Sequence, residues 1–216
     1  MPTTTQQLGL AEARALIADC GFGAAHDLRT APTVGVELES FLVPRHDPFL
    51  LPAPDLPAGS RLTFEPGGQA ELSSPPATSV GAACESLAID LTALGEAFSP
   101  LGVRLVQHGT SPPPSRRVVD KPRYQAMEAY FDAAGREGRA MMCSTAAVQV
   151  NLGLGPGRWE AANALGPVLA ASFANSAVPG RWATSRLGIW LALDRSRTAQ
   201  VSPAADPGEA WADYAL

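Results

Sequence analysis

Alternating apolar and polar residues mark three segments of the chain as strands: residues 33–43, 69–73 and 145–154. Side chains on a strand point alternately to opposite faces, so each segment presents an aliphatic face and a polar face. The polar faces carry paired carboxylates or carboxamides, namely Glu37 with Glu39, Gln69 with Glu71, and Gln149 with Asn151. The aliphatic faces predict that each strand lies on a core.

Helical spacing of apolar residues predicts most of the other elements. We predict helices over residues 5–21, 78–99, 121–134 and 159–174, a helix that begins at Asp206, and short strands over 61–65 and 103–107. Residues 181–193 fit a helix or a strand, and residues 44–60 form a proline-rich loop. In the helix over 78–99 we expect Thr78 to be the N-cap and Cys84 to lie on the buried stripe.

These elements predict an α+β fold: a mostly antiparallel, curved sheet with helices packed on its outer face and acids on its open face. We expect a single domain over residues 1–216. The sequence stops at Leu216, inside the last predicted helix. We therefore expect the chain to be truncated at its C-terminus.

Composition excludes several classes of protein. A net charge of −5 without a basic stripe argues against a nucleic-acid partner. Three cysteines without metal-ligand spacing predict no disulfide framework and a reducing compartment, the cytoplasm. The sequence shows no signal peptide and no apolar run of membrane-spanning length, so we expect no membrane partner. It carries no indication of oligomeric state.

The stretch FEPGGQAELS, residues 64–73, places Glu65 and Glu71 on either side of a Pro-Gly-Gly bend. Together with Glu37 and Glu39 it gives four carboxylates on predicted neighbouring strands. Carboxylate and amide oxygens suit hard cations such as Mg²⁺, and crowded acids need a cation or an arginine to offset their repulsion. Metal-assisted phosphoryl transfer from a nucleotide fits this set. For a single ExE pair, a solvated strand face is the alternative.

Arg123 lies in the first turn of a predicted helix, where the helix dipole favours acids. It is either an exposed basic residue or a ligand-binding one, and the sequence leaves both open. The chain contains no GxxxxGK[ST], GxGxxG or GxSxG motif. This excludes the P-loop, Rossmann and α/β-hydrolase interpretations.

The stretch FEPGGQAELS resembles the FEPGGQxELS signature of the glutamate–cysteine ligases of plants and proteobacteria, and of the related actinobacterial ergothioneine-pathway enzymes. Shorter runs resemble the same family in the same order: VGVELE at 34–39, RY at 123–124 with Met127, VQVNL at 148–152, FANS at 173–176, RLGIW at 186–190, RSRT at 195–198 and WADYAL at 211–216. The resemblance covers nearly the whole chain from about residue 33. A composition rich in Arg, Ala and Pro favours the actinobacterial branch.

The resemblance implies a glutamine-synthetase-like catalytic domain, of which this chain is the N-terminal part. It implies an ATP-dependent ligase that phosphorylates the γ-carboxylate of glutamate. The cysteine amine then attacks the acyl phosphate and gives γ-glutamylcysteine, for ergothioneine or glutathione biosynthesis. A related carboxylate–amine ligase with another amine substrate is one alternative, and an inactive fragment that serves as a binding module is another.

The resemblance also implies roles for individual residues. The implied Mg²⁺ ligands are Glu37, Glu39, Glu65, Glu71 and Gln149. Arg123 and Arg186 would bind the glutamate carboxylates or the transferring phosphoryl group, a task suited to arginine. The implied substrate-binding residues are Tyr124, Thr145, Asn151 and Trp190. Ala146 stands where the plant enzymes carry a cysteine, so no redox switch of that kind is expected.

Overall fold

The structure is a computed structural model that describes residues 8–22, 33–112, 116–153, 157–178, 183–193, 195–201 and 206–216. These residues form seven α-helices and a five-stranded antiparallel sheet, which confirms the α+β class. The chain divides into two compact units, a smaller one within 1–30, 154–172 and 199–216, and a larger one within 31–153 and 173–198. A single domain over 1–216 stays a prediction.

The larger unit contains all five strands. They are β1 (Val34–Val43), β2 (Arg61–Phe64), β3 (Ala70–Ser73), β4 (Arg104–Val106) and β5 (Val148–Leu152). The order is β2-β3-β1-β4, with β5 also paired to β1, and every pair is antiparallel. The ten-residue β1 therefore organises the sheet, because it pairs with three other strands.

The helices of the larger unit are α2 (Val80–Phe98), α3 (Pro122–Asp132), α4 (Glu137–Ser144) and α6 (Ser185–Leu191). Short 3₁₀ turns cover Pro48–Leu50, Ser99–Leu101 and Arg195–Arg197. The ambiguous segment 181–193 is therefore helical over α6, and its residues 181 and 182 lie outside the described residues. The sequence predictions contained no counterpart of α4.

The apolar face of the sheet packs against α2. Leu72 of β3 and Phe98 of α2 are almost fully buried, and each contributes about 1.5–3 kcal/mol through burial. The buried residues of this core are Val36, Leu42, Ala70, Leu72, Ala83, Leu87, Leu94, Phe98 and Val103. The aliphatic faces predicted for β1 and β3 therefore do lie on a core.

The aliphatic face of β5 is exposed, and the prediction that it lies on a core is wrong. Val148, Val150 and Leu152 are 63%, 56% and 58% exposed. Alternation determines which side chains share a face, but it does not determine whether another element covers that face. Here α2 packs on β1, β3 and β4, and it leaves the aliphatic side chains of β5 uncovered.

Two predictions for α2 are also wrong. Its N-cap is Ser79 rather than Thr78, and the Ser79 hydroxyl accepts a hydrogen bond from the amide of Ala82 at 3.2 Å. Cys84 is exposed, because the buried stripe of α2 runs one position earlier. That stripe consists of Ala83, Leu87, Asp90, Leu94 and Phe98.

Asp90 is a fully buried carboxylate within this apolar stripe. It accepts hydrogen bonds from the backbone amides of Ala58 and Ser60, both at 2.8 Å. These bonds fasten the proline-rich segment 44–60 to α2 and satisfy the buried charge. The strand β2 begins directly after this anchored segment, so Asp90 also helps to place the edge of the sheet.

The smaller unit consists of α1 (Leu10–Phe22), α5 (Arg158–Ser172) and α7 (Pro207–Ala215). Helix α7 begins as predicted, since the carboxylate of Asp206 accepts from the amide of Glu209 at 2.8 Å. An ion pair joins Arg14 of α1 to Asp213 of α7. Residues 5–7, predicted to begin α1, lie outside the described residues. None of the described helices is both long and apolar enough to cross a membrane.

Replacing Asp90 with Ala should lower the free energy of unfolding by about 2–4 kcal/mol, because the buried amide of Ser60 and the partly buried amide of Ala58 lose a charged acceptor. Urea denaturation of the two proteins measures this difference. Asp55→Ala, in the same proline-rich segment but exposed, is the matched control and should change stability by less than about 0.5 kcal/mol. Equal stability of Asp90→Ala and the wild type would contradict the anchoring role.

Candidate active site

The strand register brings three of the four predicted acids, Glu37, Glu39 and Glu71, onto one face of the sheet, while Glu65 lies in the bend that follows β2. Directly paired residues of antiparallel strands share a face. Glu37 pairs with Gln149, Glu39 pairs with Glu71, and Glu71 pairs in turn with Thr63. We refer to this surface, which bears Glu37, Glu39, Glu71 and Gln149, as the acidic face. Asn151 lies on the same side of β5, opposite Gly35.

Glu39 is held in place by Ala147, directly before β5, and by Gln149 within β5. Its carboxylate accepts a hydrogen bond from the amide of Ala147 at 2.8 Å and another from the Gln149 side chain at 3.2 Å. Burial, together with the negative charge of Glu65, raises the pKa of Glu39 to about 7, although the amide of Ala147 and the charge of Arg186 oppose the shift. Glu39 is therefore a carboxyl group that ionises near neutral pH unless positive charge is added beside it.

Glu65 belongs to the same electrostatic cluster. Burial raises its pKa, the charge of Glu71 raises it further, and the charges of Arg123 and Lys121 lower it. Glu71 itself accepts a hydrogen bond from the Thr63 hydroxyl at 2.8 Å. Neighbouring carboxylates thus disfavour the ionisation of Glu39 and Glu65, an effect that a bound cation would relieve.

The acids are gathered but do not form a preassembled metal cluster. In the part of the chain that the structure describes, no group of three or more His, Cys, Asp or Glu side chains is arranged to hold a metal ion. The donor chemistry of the acidic face nevertheless fits Mg²⁺, which binds through a few carboxylates together with waters and phosphate oxygens. The side-chain amide nitrogen of Gln149 donates a hydrogen bond to the carboxylate of Glu39.

Within the described part of the chain, two buried donors without partners lie on α6, on Arg186, whose charge acts on Glu39, and on the neighbouring Trp190. Burial lowers the pKa of Arg186, and the charge of Glu39 opposes that shift. The guanidinium carbon of Arg186 lies 5.8 Å from the centroid of the Trp190 ring. Among the described residues, Arg186 Nε and Trp190 Nε1 are buried without a hydrogen-bond partner. Such donors are costly unless a ligand accepts from them.

The start of α6 is fixed by short hydrogen bonds within the larger unit. The Thr184 hydroxyl caps the helix by accepting from the amide of Leu187 at 3.3 Å. The amide of Arg186 donates to the Ser176 hydroxyl at 3.1 Å. The two hydroxyls lie 3.2 Å apart. These contacts fix the backbone from which Arg186 extends.

Tyr124 and Arg123 approach Glu65 from the first turn of α3. Tyr124 is buried, and its pKa is raised by burial and further by the charge of Glu65. The guanidinium carbon of Arg123 lies 6.0 Å from the Tyr124 ring centroid. Arg123 itself is exposed, and its charge acts on Glu65. The structure therefore places this pair beside the acids, at a different position from Arg186.

Thr145 and Gln69 both form hydrogen bonds at the end of α4. The Thr145 hydroxyl is buried and donates to the carbonyl of Met141 at 2.7 Å, which commits its proton to the end of α4. Gln69 was predicted to lie beside Glu71 on the polar face, but β3 begins only at Ala70. The Gln69 side chain is 2% exposed and is turned towards the end of α4 instead.

The Pro-Gly-Gly bend depends on two glycines. A Cβ atom on Gly67 would lie 2.4 Å from the Cys143 carbonyl oxygen, so the bend packs directly on the backbone of α4. Gly68 has φ 86°, a left-handed conformation that glycine adopts without strain. The sequence signal for this turn was correct, but it did not indicate that α4 lies against it.

Comparison with known proteins gives a consistent result. The family model described as Glutamate-cysteine ligase family 2 (GCS2) matches residues 33–216. Glutamate–cysteine ligase EgtA of Mycolicibacterium smegmatis is 39% identical to this chain in a match that covers 89% of this chain and 52% of that protein. EgtA of Mycobacterium tuberculosis H37Rv is also 39% identical, over 85% of this chain and 48% of its own length.

A more distant relative is the chloroplastic glutamate–cysteine ligase of Arabidopsis thaliana. It is 31% identical over 170 residues, which cover 72% of this chain and 33% of the plant protein. The chain spans about half the length of the EgtA proteins and about a third of the plant enzyme.

Gly67→Ala should destabilise the protein by about 1–3 kcal/mol, because the added methyl group must displace the backbone of α4. Gly95→Ala is the matched control: it lies within α2 with open space around its Cα, and it should stabilise by about 0.5–1 kcal/mol. Thermal unfolding followed by circular dichroism measures both changes. A fully stable Gly67→Ala variant would contradict the close packing described here.

The stability of the protein should fall as pH rises from about 5 to about 7 in part because of Glu39. Its pKa is raised from 4.5 to about 7 in the folded state, so the folded protein binds more protons than the unfolded chain in this range. Glu39→Gln should flatten this part of the profile. Urea unfolding at several pH values without divalent cations measures the slope, and an unchanged slope in the variant would be the opposing result.

Proposed function

The chain belongs to the glutamate–cysteine ligase family 2, and from that premise we propose that it provides the acidic face of an ATP-dependent ligase. The ligase would join the γ-carboxylate of glutamate to the amine of cysteine. Two observations together support this proposal. The first is the acidic face with its raised Glu39 pKa, and the second is the pair of buried donors on Arg186 and Trp190 that have no partner among the described residues. The carboxylates would bind a cation and the donors would bind an anionic group, and a phosphorylated intermediate requires both.

The proposed reaction has two steps. The γ-phosphoryl group of ATP passes to an oxygen of the glutamate γ-carboxylate, and ADP leaves. The cysteine nitrogen then attacks the γ-carbonyl carbon, loses a proton and expels phosphate, which leaves an amide bond. Both steps develop negative charge on oxygen, so positioned cationic donors lower their barriers.

Mg²⁺ would neutralise phosphate charge in this site, as it does in phosphoryl transfer generally. The residues proposed to hold it are Glu37, Glu39, Glu65, Glu71 and Gln149. Their support is chemical: four of them are carboxylates, and burial together with mutual repulsion raises the pKa of two, Glu39 and Glu65. Added positive charge would lower the pKa of both groups and so favour their ionised forms.

Arg186 is proposed to bind the carboxylate or phosphoryl oxygens of the substrate through its unpaired Nε. Trp190 would donate to the same ligand through Nε1. Arg123 would bind a second anionic group near Glu65, with Tyr124 beneath it. Asn151 and Thr145 would line the pocket for the amino-acid substrates. An arginine fits carboxylate and phosphate groups with paired donors, which lysine does not offer.

The pathway served by the product is a finer proposal. Identity to the two EgtA proteins is 39%, against 31% for the Arabidopsis enzyme. This favours the actinobacterial branch and therefore ergothioneine over glutathione. The sparse cysteines agree with a reaction in the cytoplasm. A ligase that uses another amine, or a binding module without activity, would share the same fold.

Phosphate release with ATP, Mg²⁺, glutamate and a panel of amines tests the proposal. It should be measured on this chain and on a chain extended to the length of its relatives. We expect release that depends on both glutamate and cysteine in the extended protein. Release with another amine only would favour the related ligase, and no release with any amine would favour the binding module.

The same assay tests the acidic face directly. Glu71→Gln should reduce turnover by about 100-fold or more while leaving the fold intact, because it removes one proposed cation ligand. Glu85→Gln, on the exposed side of α2, is the matched control and should leave turnover unchanged. Full activity in Glu71→Gln would show that this carboxylate is only a solvated strand residue.

A further inference from the structure

The side chain of Gln69 connects the Pro-Gly-Gly bend to the end of α4. Its Nε2 donates to the carbonyl of Thr145 at 2.8 Å and to the carbonyl of Met142 at 3.3 Å. The last carbonyls of a helix have no partner within the helix, and here a single carboxamide from another part of the chain satisfies two of them. The side chain is almost fully buried, so water does not compete for these bonds.

The backbone around Gln69 fixes Glu65. The carbonyl of Gln69 accepts from the amide of Glu65 at 2.9 Å, and the amide of Gly68 donates to the carbonyl of Glu65 at 2.8 Å. The carbonyl of Pro66 accepts from the amides of Val118 and Val119. The bend that bears Glu65 is therefore a closed turn, and the Gln69 side chain fastens this turn to α4.

The residues that follow Thr145, the partner of Gln69 at the end of α4, hold Glu39. Two positions after Thr145, the amide of Ala147 donates to the Glu39 carboxylate at 2.8 Å, and the carbonyl of Ala147 accepts from the Glu39 amide at 2.9 Å. Between them, the amide of Ala146 donates to the carbonyl of Gly109 at 3.3 Å. One carboxamide thus joins the turn that carries Glu65 to the segment that positions Glu39.

We propose that Gln69 is a positioning residue of the ligase site, which fixes Glu65 and Glu39 relative to each other by binding the end of α4. This inference rests on the proposed function, since the two carboxylates matter as parts of that site. The position requires a neutral side chain with two N–H groups on one nitrogen. Ionised Glu would set a carboxylate against two carbonyls, Asn is one methylene shorter, and Leu has no donor.

Amide hydrogen exchange followed by NMR tests the link in the 216-residue chain. Gln69→Leu and Gln69→Asn should speed exchange at Ala147 by about tenfold or more relative to Leu91 in α2, because local opening frees this amide without global unfolding. Gln125→Leu is the matched control. Among the described residues, the side-chain amide of Gln125 donates only to Asp120 on the surface. Equal acceleration at Ala147 and Leu91 would mean that Gln69 merely stabilises the fold, which overturns the proposal.

Titration with Mn²⁺, followed by electron paramagnetic resonance, tests the consequence for the site. If the wild type binds the ion, both Gln69 variants should bind it about tenfold or more weakly, and Gln125→Leu should match the wild type. Unchanged affinity in the Gln69 variants would overturn the positioning role. If the wild type binds no Mn²⁺, the metal part of the proposed function fails, and the exchange experiment alone decides the role of Gln69.

Discussion

The larger unit gathers carboxylates on a partly buried surface, and the cost of ionising them there constrains the whole site. Burial and mutual repulsion both disfavour the ionised forms of Glu39 and Glu65. The chain offsets this only in part, through the amide of Ala147 and the charges of Arg186 and Arg123. The remaining destabilisation is the physical reason for proposing a divalent cation at this face, since the charge of the ion would reduce it.

Around that face, the fold supplies rigid supports on both sides. The apolar core between β1, β3 and α2 holds the strands that bear Glu37, Glu39 and Glu71. On the opposite flank, Gln69 and the glycines of the bend fasten α4 against the turn that carries Glu65. Catalytic groups must be held to within a fraction of an ångström, and fixed neighbours provide this more reliably than flexible loops.

Much of the fold followed from the sequence, because period-two and period-3.6 patterns report which side chains share a face. They predicted β1, α2 and the acidic face, and the ordered motifs predicted the family. They did not predict α4, the turned-in side chain of Gln69, the buried Asp90 or the exposed face of β5. Those features depend on which element covers which face and on backbone amides, neither of which alternation encodes.

If the acidic face binds a divalent cation, as proposed, the ion should lower the raised pKa of Glu39. The most direct test is a ¹³C NMR titration of the glutamate carboxyl groups of this chain, with and without Mg²⁺. We expect a pKa of about 7 for Glu39 without the ion and a marked decrease when Mg²⁺ is added. A Glu39 pKa that does not respond to Mg²⁺ would contradict the proposal.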